Sequence, residues 1–141
     1  MKIVMNTSVL VAATRSRRGA GFALVSAIPS PDFKICLSVP LYTEWQSVLT
    51  RPEHLPRGAT PQEAQAFLRY LASQAHLQEV HFLWRPFLHD PDDDMVLELA
   101  VAAGCRYIVT HNTRDFKKAV QLGVKPIVPA DFCNLLRRRK P

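Results

Sequence analysis

The chain has 141 residues, 48% of them apolar and 21% charged, with a formal net charge of +6 at pH 7. These values are typical of one soluble globular domain, and they exclude a disulfide-dependent miniprotein or a disordered segment. We expect a single domain over residues 1–141 that ends in a short basic tail. The apolar run at the N-terminus is too short for a signal peptide and no segment has the length of a membrane span, so we expect a cytoplasmic protein that does not bind membranes.

Taken from the first residue onward, short apolar segments alternate with segments of helical periodicity. Thr60, Pro61 and Glu63 form a typical helix start, because threonine caps the helix, proline suits its first turn and glutamate completes a capping box. The predicted strands are 2–5, 33–39, 78–83, 106–110 and 125–128. The predicted helices pass through 9–13, 20–28, 40–49, 60–71, the acidic run up to Gly104, 116–122 and 130–138.

This alternation predicts an α/β fold, a three-layer sandwich with a central, mostly parallel sheet flanked by helices. In such sheets, functional sites gather at the carboxyl ends of the strands. Asn6, Glu44, the acidic run at 90–94 and Asn112 each follow a predicted strand closely. We therefore expect them near one edge of the sheet.

The acidic run Asp90-Pro91-Asp92-Asp93-Asp94 is the sharpest charge feature of this basic chain. Such carboxylates are the ligands that hard cations prefer, while lysine and arginine elsewhere suit a phosphate backbone. The run also fits the start of a helix, where acidic side chains favour the positive end of the dipole and cap free N–H groups. The basic clusters at 15–18 and 137–140 likewise fit either a polyanion partner or solvated surface.

Four segments, in order, resemble the motifs of the PIN domain, the nuclease fold of VapC toxins. They are Ile3-Val4-Met5-Asn6-Thr7-Ser8, Ser38-Val39-Pro40-Leu41-Tyr42-Thr43-Glu44, the acidic run with its helix, and Tyr107-Ile108-Val109-Thr110-His111-Asn112. The resemblance implies a ribonuclease dependent on Mg²⁺ or Mn²⁺ and kept silent by an antitoxin protein. It also implies a homodimer or higher oligomer.

The same resemblance assigns the site residues. The catalytic positions would be Asn6, Glu44, Asp93 and Asn112. The metal would be held by Asn6, Glu44 and Asp93, with Asp90, Asp94 and Asp115 as further candidates. Thr110 would orient a carboxylate or a metal-bound water. From their place after the first helix, close to the expected site, we expect Arg15, Arg17 and Arg18 to contact RNA phosphates or acidic groups of an antitoxin.

Asn6 and Asn112 depart from the family pattern, because both positions commonly carry aspartate. An amide keeps the shape of the side chain but removes a full negative charge, which weakens the binding of hard cations. Three explanations of Asn6 remain open: an engineered replacement that quiets a toxic nuclease, a natural loss that leaves an RNA-binding or scaffold protein, or a site in which the other carboxylates suffice. A small signalling domain with an acidic pocket is disfavoured, because such receivers carry an acidic pair just after the first strand.

Overall fold

Five short parallel strands form the centre of the computed structural model, which describes residues 1–81 and 86–139. Their spatial order is β3-β2-β1-β4-β5. Ile3 of the central strand pairs with Ile35 on one side and with Tyr107 on the other. The strands are β1 (Lys2–Met5), β2 (Lys34–Leu37), β3 (His76–Leu77), β4 (Tyr107–Val109) and β5 (Lys125–Ile127).

Helices connect these strands on both faces of the sheet, which makes the fold the predicted α/β sandwich. Except for α2, which begins after Gly19 without a side-chain cap, the helices begin where the sequence provides a cap or a proline, as at Ser38, Thr60 and Asp90. The helices in the described residues are α1 (Thr7–Arg15), α2 (Ala20–Ser26), α3 (Val39–Leu49), α4 (Pro61–Gln74), α5 (Pro91–Ala102) and α6 (Pro129–Arg139). Two 3-10 segments cover Pro52–His54 and Thr113–Leu122.

The order of the strands creates one topological switch point. From β1 the chain moves outward to β2 and β3, and then α5 carries it back past β1 to β4. Right-handed crossovers in opposite directions place their helices on opposite faces of the sheet, so a crevice opens between the carboxyl ends of β1 and β4. The predicted site residues of the first and fourth motifs follow these two strands.

The apolar strands and the inward faces of the helices form one continuous core. The strands of a parallel sheet are covered on both faces, which is why Ile3, Val4, Met5, Ile108 and Val109 are fully buried. No helix in the described ranges, 1–81 and 86–139, is long and apolar enough to cross a membrane.

The predicted strand 78–83 was wrong in position. The structure forms β3 at His76–Leu77, where Cys36 pairs with His76, while residues 78–81 lie outside the sheet. The end of the prediction, 82–83, and Lys140 of the basic tail fall outside the described residues. The predicted helix 116–122 also differs, since this stretch belongs to the longer 3-10 segment Thr113–Leu122.

Candidate functional site

A network of buried polar side chains joins the carboxyl ends of β1 and β4. The Asn6 backbone N–H donates to the Val109 carbonyl at 2.9 Å, which extends the pairing of the two strands by one residue. The Asn6 side chain bridges two elements, because its Oδ1 accepts from Thr7 N at 2.9 Å and its Nδ2 donates to Thr110 Oγ1 at 2.9 Å. Asn6 therefore starts α1 and ties it to β4.

Thr110 lies at the centre of this network and is fully buried. Its Oγ1 accepts from Asn6 Nδ2 and also from the Asn112 backbone N–H, at 3.0 Å. The hydroxyl thus holds the turn after β4 against the residue that follows β1. The contact of the Thr110 hydroxyl with the Asn6 amide is thus established, while its orientation of a carboxylate or a water stays a prediction.

Glu44 approaches the same crevice from α3. The helix starts at Ser38, whose Oγ accepts from Leu41 N at 3.3 Å, and it buries Leu41 and Trp45 on either side of the half-buried glutamate. The Thr7 hydroxyl donates to Glu44 Oε2. Sequence reasoning missed Thr7 as a site residue, although its place directly after Asn6 was a usable signal.

The acidic run divides its carboxylates between capping and the site. Asp90 caps α5, because its Oδ1 accepts from Asp92 N at 2.9 Å. Asp94 is 2% exposed, and its two oxygens accept from Leu88 N at 2.7 Å and from Phe87 N at 3.3 Å. Both carboxylates therefore hold the start of α5, which agrees with the capping interpretation and indicates a structural role for Asp94.

Asp93 is the carboxylate of the run that faces other acids. Its pKa is raised to about 6, first by partial burial and then, in decreasing order, by the negative charges of Asp90, Asp115, Glu44 and Asp92. These charges come from α5, α3 and the 3-10 segment. The fold therefore brings three of the predicted metal-binding positions, Asp93, Asp115 and Glu44, within electrostatic range of one another.

Other predicted site residues are not part of this network. The side chain of Asn112 is exposed, and only its backbone contacts Thr110. The arginine cluster Arg15, Arg17 and Arg18 is exposed at and just beyond the far end of α1, where Arg15 lies about 14 Å along the helix axis from Asn6. We expected this cluster close to the site, and the length of α1 separates the two.

The site is rich in oxygen atoms, but it has one negative charge fewer than it would have with an aspartate at position 6. Within residues 1–81 and 86–139, no three His, Cys, Asp or Glu side chains are grouped closely enough to hold a metal ion by themselves. The position nearest the junction of β1 and β4 is an amide, which contributes a neutral oxygen only. What the geometry defines is an acidic crevice at the switch point of a parallel α/β sheet.

Comparison with known proteins identifies the family of the chain. The PIN domain family pattern matches residues 2–114, and the chain therefore belongs to the PIN domain family. The four motifs noted in the sequence all lie within or next to the matched region. No curated protein sequence matches the chain.

Two solved structures share the fold at low sequence identity. A chain of VapBC-1 from nontypeable Haemophilus influenzae is 12% identical, with a TM-score of 0.63 over 92% of this chain and 99% of its own. A chain of VapBC2 from Rickettsia felis, determined with a DNA fragment from its promoter, is 14% identical, with a TM-score of 0.61 over 89% of this chain and 98% of its own. Both similarities extend over nearly the whole length of each chain.

Proposed function

We propose that this protein is a metal-dependent endoribonuclease of the toxin type, in which Asn6 weakens the metal site. The observation that supports it is the set of like charges around Asp93, drawn from three separate elements of the fold. Repulsion among carboxylates costs stability, and a bound cation relieves it. A fold with no use for a cation would gain stability by separating these charges.

The donor set fits a magnesium or manganese ion that is only partly held by protein. Mg²⁺ is commonly bound by one or two carboxylates, with water and substrate phosphate completing its shell. Asp93, Glu44 and Asp115 would hold it, with Asn6 Oδ1 as a neutral contributor. When bound, such an ion lowers the pKa of a water molecule and stabilises negative charge on phosphate oxygens.

The chain's own residues would orient this donor set. Thr7 fixes one oxygen of Glu44, and Thr110 fixes the amide of Asn6, so both ligand positions are held before a cation arrives. Asp90 and Asp94 anchor the first turn of α5, which fixes the position of Asp93. Preorganised ligands lose less conformational entropy when they bind.

A specific observation also favours a second candidate, a PIN-fold RNA-binding or scaffold protein without catalysis. Asn6 Nδ2 donates to Thr110, so the side chain directs a hydrogen-bond donor, rather than a second acceptor, into the network. An aspartate would reverse this bond and add a negative charge. The two candidates therefore differ in what happens when that charge is restored.

The experiment compares the chain with its Asn6→Asp variant on total RNA, in Mn²⁺ and in EDTA. We expect Asn6→Asp to cleave about tenfold faster or more, and EDTA to stop it. Asn134→Asp is the matched control, because it makes the same substitution on an exposed side chain of α6, away from the candidate site. Adding Asp93→Asn to Asn6→Asp should abolish the gain.

Each outcome separates the candidates. Cleavage by both the parent chain and Asn6→Asp would mean that the remaining carboxylates suffice. An equal gain from Asn134→Asp would mean that added charge, not its position, raises activity. If no variant cleaves while RNA still binds, the catalytic proposal fails and the binding protein remains.

We also propose an antitoxin as partner, a homodimer or higher oligomer, and a cytoplasmic location. The similarity to chains of two VapBC structures supports the first of these. The partner and the oligomeric state are tested by measuring the molecular mass in solution of the chain alone and of the chain mixed with the product of a neighbouring gene. A monomer that binds no such product would contradict them.

A further inference from the structure

The opposite edge of the sheet carries a row of basic side chains that the proposed site does not use. Strands β1, β2 and β5 each begin with a lysine (Lys2, Lys34 and Lys125), and Arg106 directly precedes β4. All four are exposed. We call this row the amino edge.

Backbone pairing holds the amino edge in a fixed line. Lys2 is in register with Lys34, the Arg106 N–H donates to the Lys2 carbonyl at 3.4 Å, and the Lys125 N–H donates to the Arg106 carbonyl at 2.9 Å. Neighbouring strands lie about 4.8 Å apart, so Lys34, Lys2 and Arg106 rise from regularly spaced positions. Lys125 pairs with Tyr107, one residue further into the sheet, so it extends the row from the opposite face. Their order across the sheet is Lys34, Lys2, Arg106 and Lys125.

The connections into β4 and β5 are short and leave the row open. Gly104, after α5, and Gly123, after the 3-10 segment, have φ of 71° and 79°, so the chain turns sharply into the next strand. A Cβ atom at either position would meet nothing within 4 Å. No bulky turn from these two connections covers the neighbouring Arg106 and Lys125.

The end of α6 adds three more cations to the same edge. Phe132 packs edge-on against Phe33 and Tyr107, with ring centroids 5.7 Å and 5.9 Å apart, and both partners adjoin amino-edge residues. The C-terminal end of α6 lies beside Met1, and Arg139 Nη1 is 3.6 Å from the Met1 Sδ atom. Its last turn, Arg137–Arg139, is exposed.

Acidic charge at this edge is sparse by comparison. Half-buried Asp32 lies just before β2, and its backbone carbonyl accepts from the N-terminal amine at 3.1 Å. The other charged side chains named at this edge are lysines and arginines, and a row of positive charges favours a polyanionic partner. The candidate site at the other end of the strands has the opposite sign and repels phosphate.

We propose that the amino edge binds the sugar-phosphate backbone of RNA, as an anchor separate from the acidic site. This inference rests on the proposed function for the identity of the polymer. A regular row of cations suits a polymer with regularly spaced charges better than an acidic peptide, whose carboxylates are irregular and must be ordered on binding. Binding energy gained remote from the carboxylates offsets their repulsion of the substrate.

The two regions are separated by the length of the strands, so the anchor sets a minimum substrate length. Four-residue β1 spans about 13 Å, which is the smallest distance that an RNA in contact with both edges must cover. RNA that reaches both edges must be longer than this. We therefore expect long RNA to bind more tightly than fragments of two or three nucleotides.

The test measures binding of fluorescein-labelled oligouridine, about 20 nucleotides long, by anisotropy in EDTA across a range of salt. The edge variant is Lys34→Gln/Arg106→Gln/Lys125→Gln. The matched control is Arg51→Gln/Arg57→Gln/Arg69→Gln, which removes the same charge from exposed side chains between α3 and the middle of α4. Lys2 stays, because its Nζ contacts the Ala103 carbonyl at 3.4 Å.

We expect the edge variant to bind about tenfold more weakly and to lose about two units of the slope of log K against log salt, since each single-strand phosphate contact contributes about 0.7. The control should keep the parent slope. An unchanged edge variant, or equal losses in both variants, would overturn the proposal. Competition by polyglutamate as strong as that by unlabelled RNA would assign the edge to an acidic polypeptide instead.

A second variant guards against a change in folding. Arg137→Gln/Arg138→Gln lies on the exposed last turn of α6, and it should also reduce the slope. The binding measurement contains no metal, so its result is independent of cleavage. Cleavage by Asn6→Asp with an unaffected edge variant would refute only the anchor, whereas an impaired edge variant without cleavage by Asn6→Asp would refute only the nuclease.

Discussion

The two edges of the sheet are built on the same strands and use polar residues in opposite ways. At the carboxyl edge, Asn6, Thr110 and Asp94 are 7%, 0% and 2% exposed, and each has specific hydrogen-bond partners. At the amino edge, the basic side chains extend into water from fixed backbone positions. Buried polar groups must be satisfied individually, whereas exposed charges act together through their field. The first edge should therefore be sensitive to single atoms and the second to total charge.

The largest expected effect on stability is at the centre of the buried network. Thr110→Val keeps the shape of the side chain but leaves Asn6 Nδ2 and the Asn112 N–H without their acceptor. We expect a loss of about 3 kcal/mol in the free energy of unfolding, measured by denaturant titration. Thr43→Val is the control, because the Thr43 hydroxyl is exposed and bonds only the Val39 carbonyl. Equal losses from the two substitutions would remove the contrast between buried and exposed hydroxyls.

A smaller effect, of opposite sign, is expected at Asp93. Its folded pKa of about 6 lies above the ordinary aspartate value of 3.8, so the folded protein takes up a proton at a higher pH than the unfolded chain does. The charged form is penalised above pH 6 and the penalty disappears as the pH falls through this window. Asp93→Asn should therefore stabilise the protein by about 1 kcal/mol near pH 7.5, after allowance for solvent screening.

The pH dependence provides the decisive check on Asp93. The gain from Asp93→Asn should shrink toward zero near pH 4, where the parent carboxyl is protonated in the fold. Asp92→Asn, on the exposed neighbour that contributes least to this repulsion, should show a smaller pH-dependent gain. Added Mg²⁺ should lower the pKa of Asp93, observed by NMR titration. A gain independent of pH would mean that Asp93 does not carry the electrostatic strain.

The smallest expected effect on stability is at the amino edge. Lys34→Gln/Arg106→Gln/Lys125→Gln changes three exposed side chains, and we expect a shift within about 0.5 kcal/mol, measured by thermal unfolding. The same variant should lose RNA affinity strongly. A large loss of stability would indicate that these cations support the fold. The two edges would then differ only in how much each contributes to stability.

Much of the fold was predictable because its signals are local. Apolar runs predicted four of the strands at or near their positions, and Thr60 and Pro61 predicted the start of α4. The wrong position of β3 has a physical cause. His76–Leu77 is a two-residue strand defined by pairing with Cys36 and Leu37, and a strand that short has no periodicity of its own.

The residues of the candidate site were easier to predict from the sequence than the contacts among them. Motif order named Asn6, Glu44 and Asp93, but it gave no sign that Thr7 would hold Glu44. It also offered two interpretations of the acidic run, and the structure shows that the run serves the helix through Asp90 and Asp94 while Asp93 faces the other acids. The direction in which each carboxylate points depends on the helical rotation between neighbouring residues and on the contacts with the loop that precedes α5.

The sequence by itself determined the alternation of strands and helices, the helix caps and the family, because these depend on neighbours a few residues apart. Only the tertiary structure decided that charge is sorted between the two ends of the sheet. Lys2, Lys34, Arg106 and Lys125 are far apart in the chain and become one row because parallel pairing aligns the strand starts. The same alignment brings the strand ends together, so one set of hydrogen bonds produced both the acidic crevice and the basic edge.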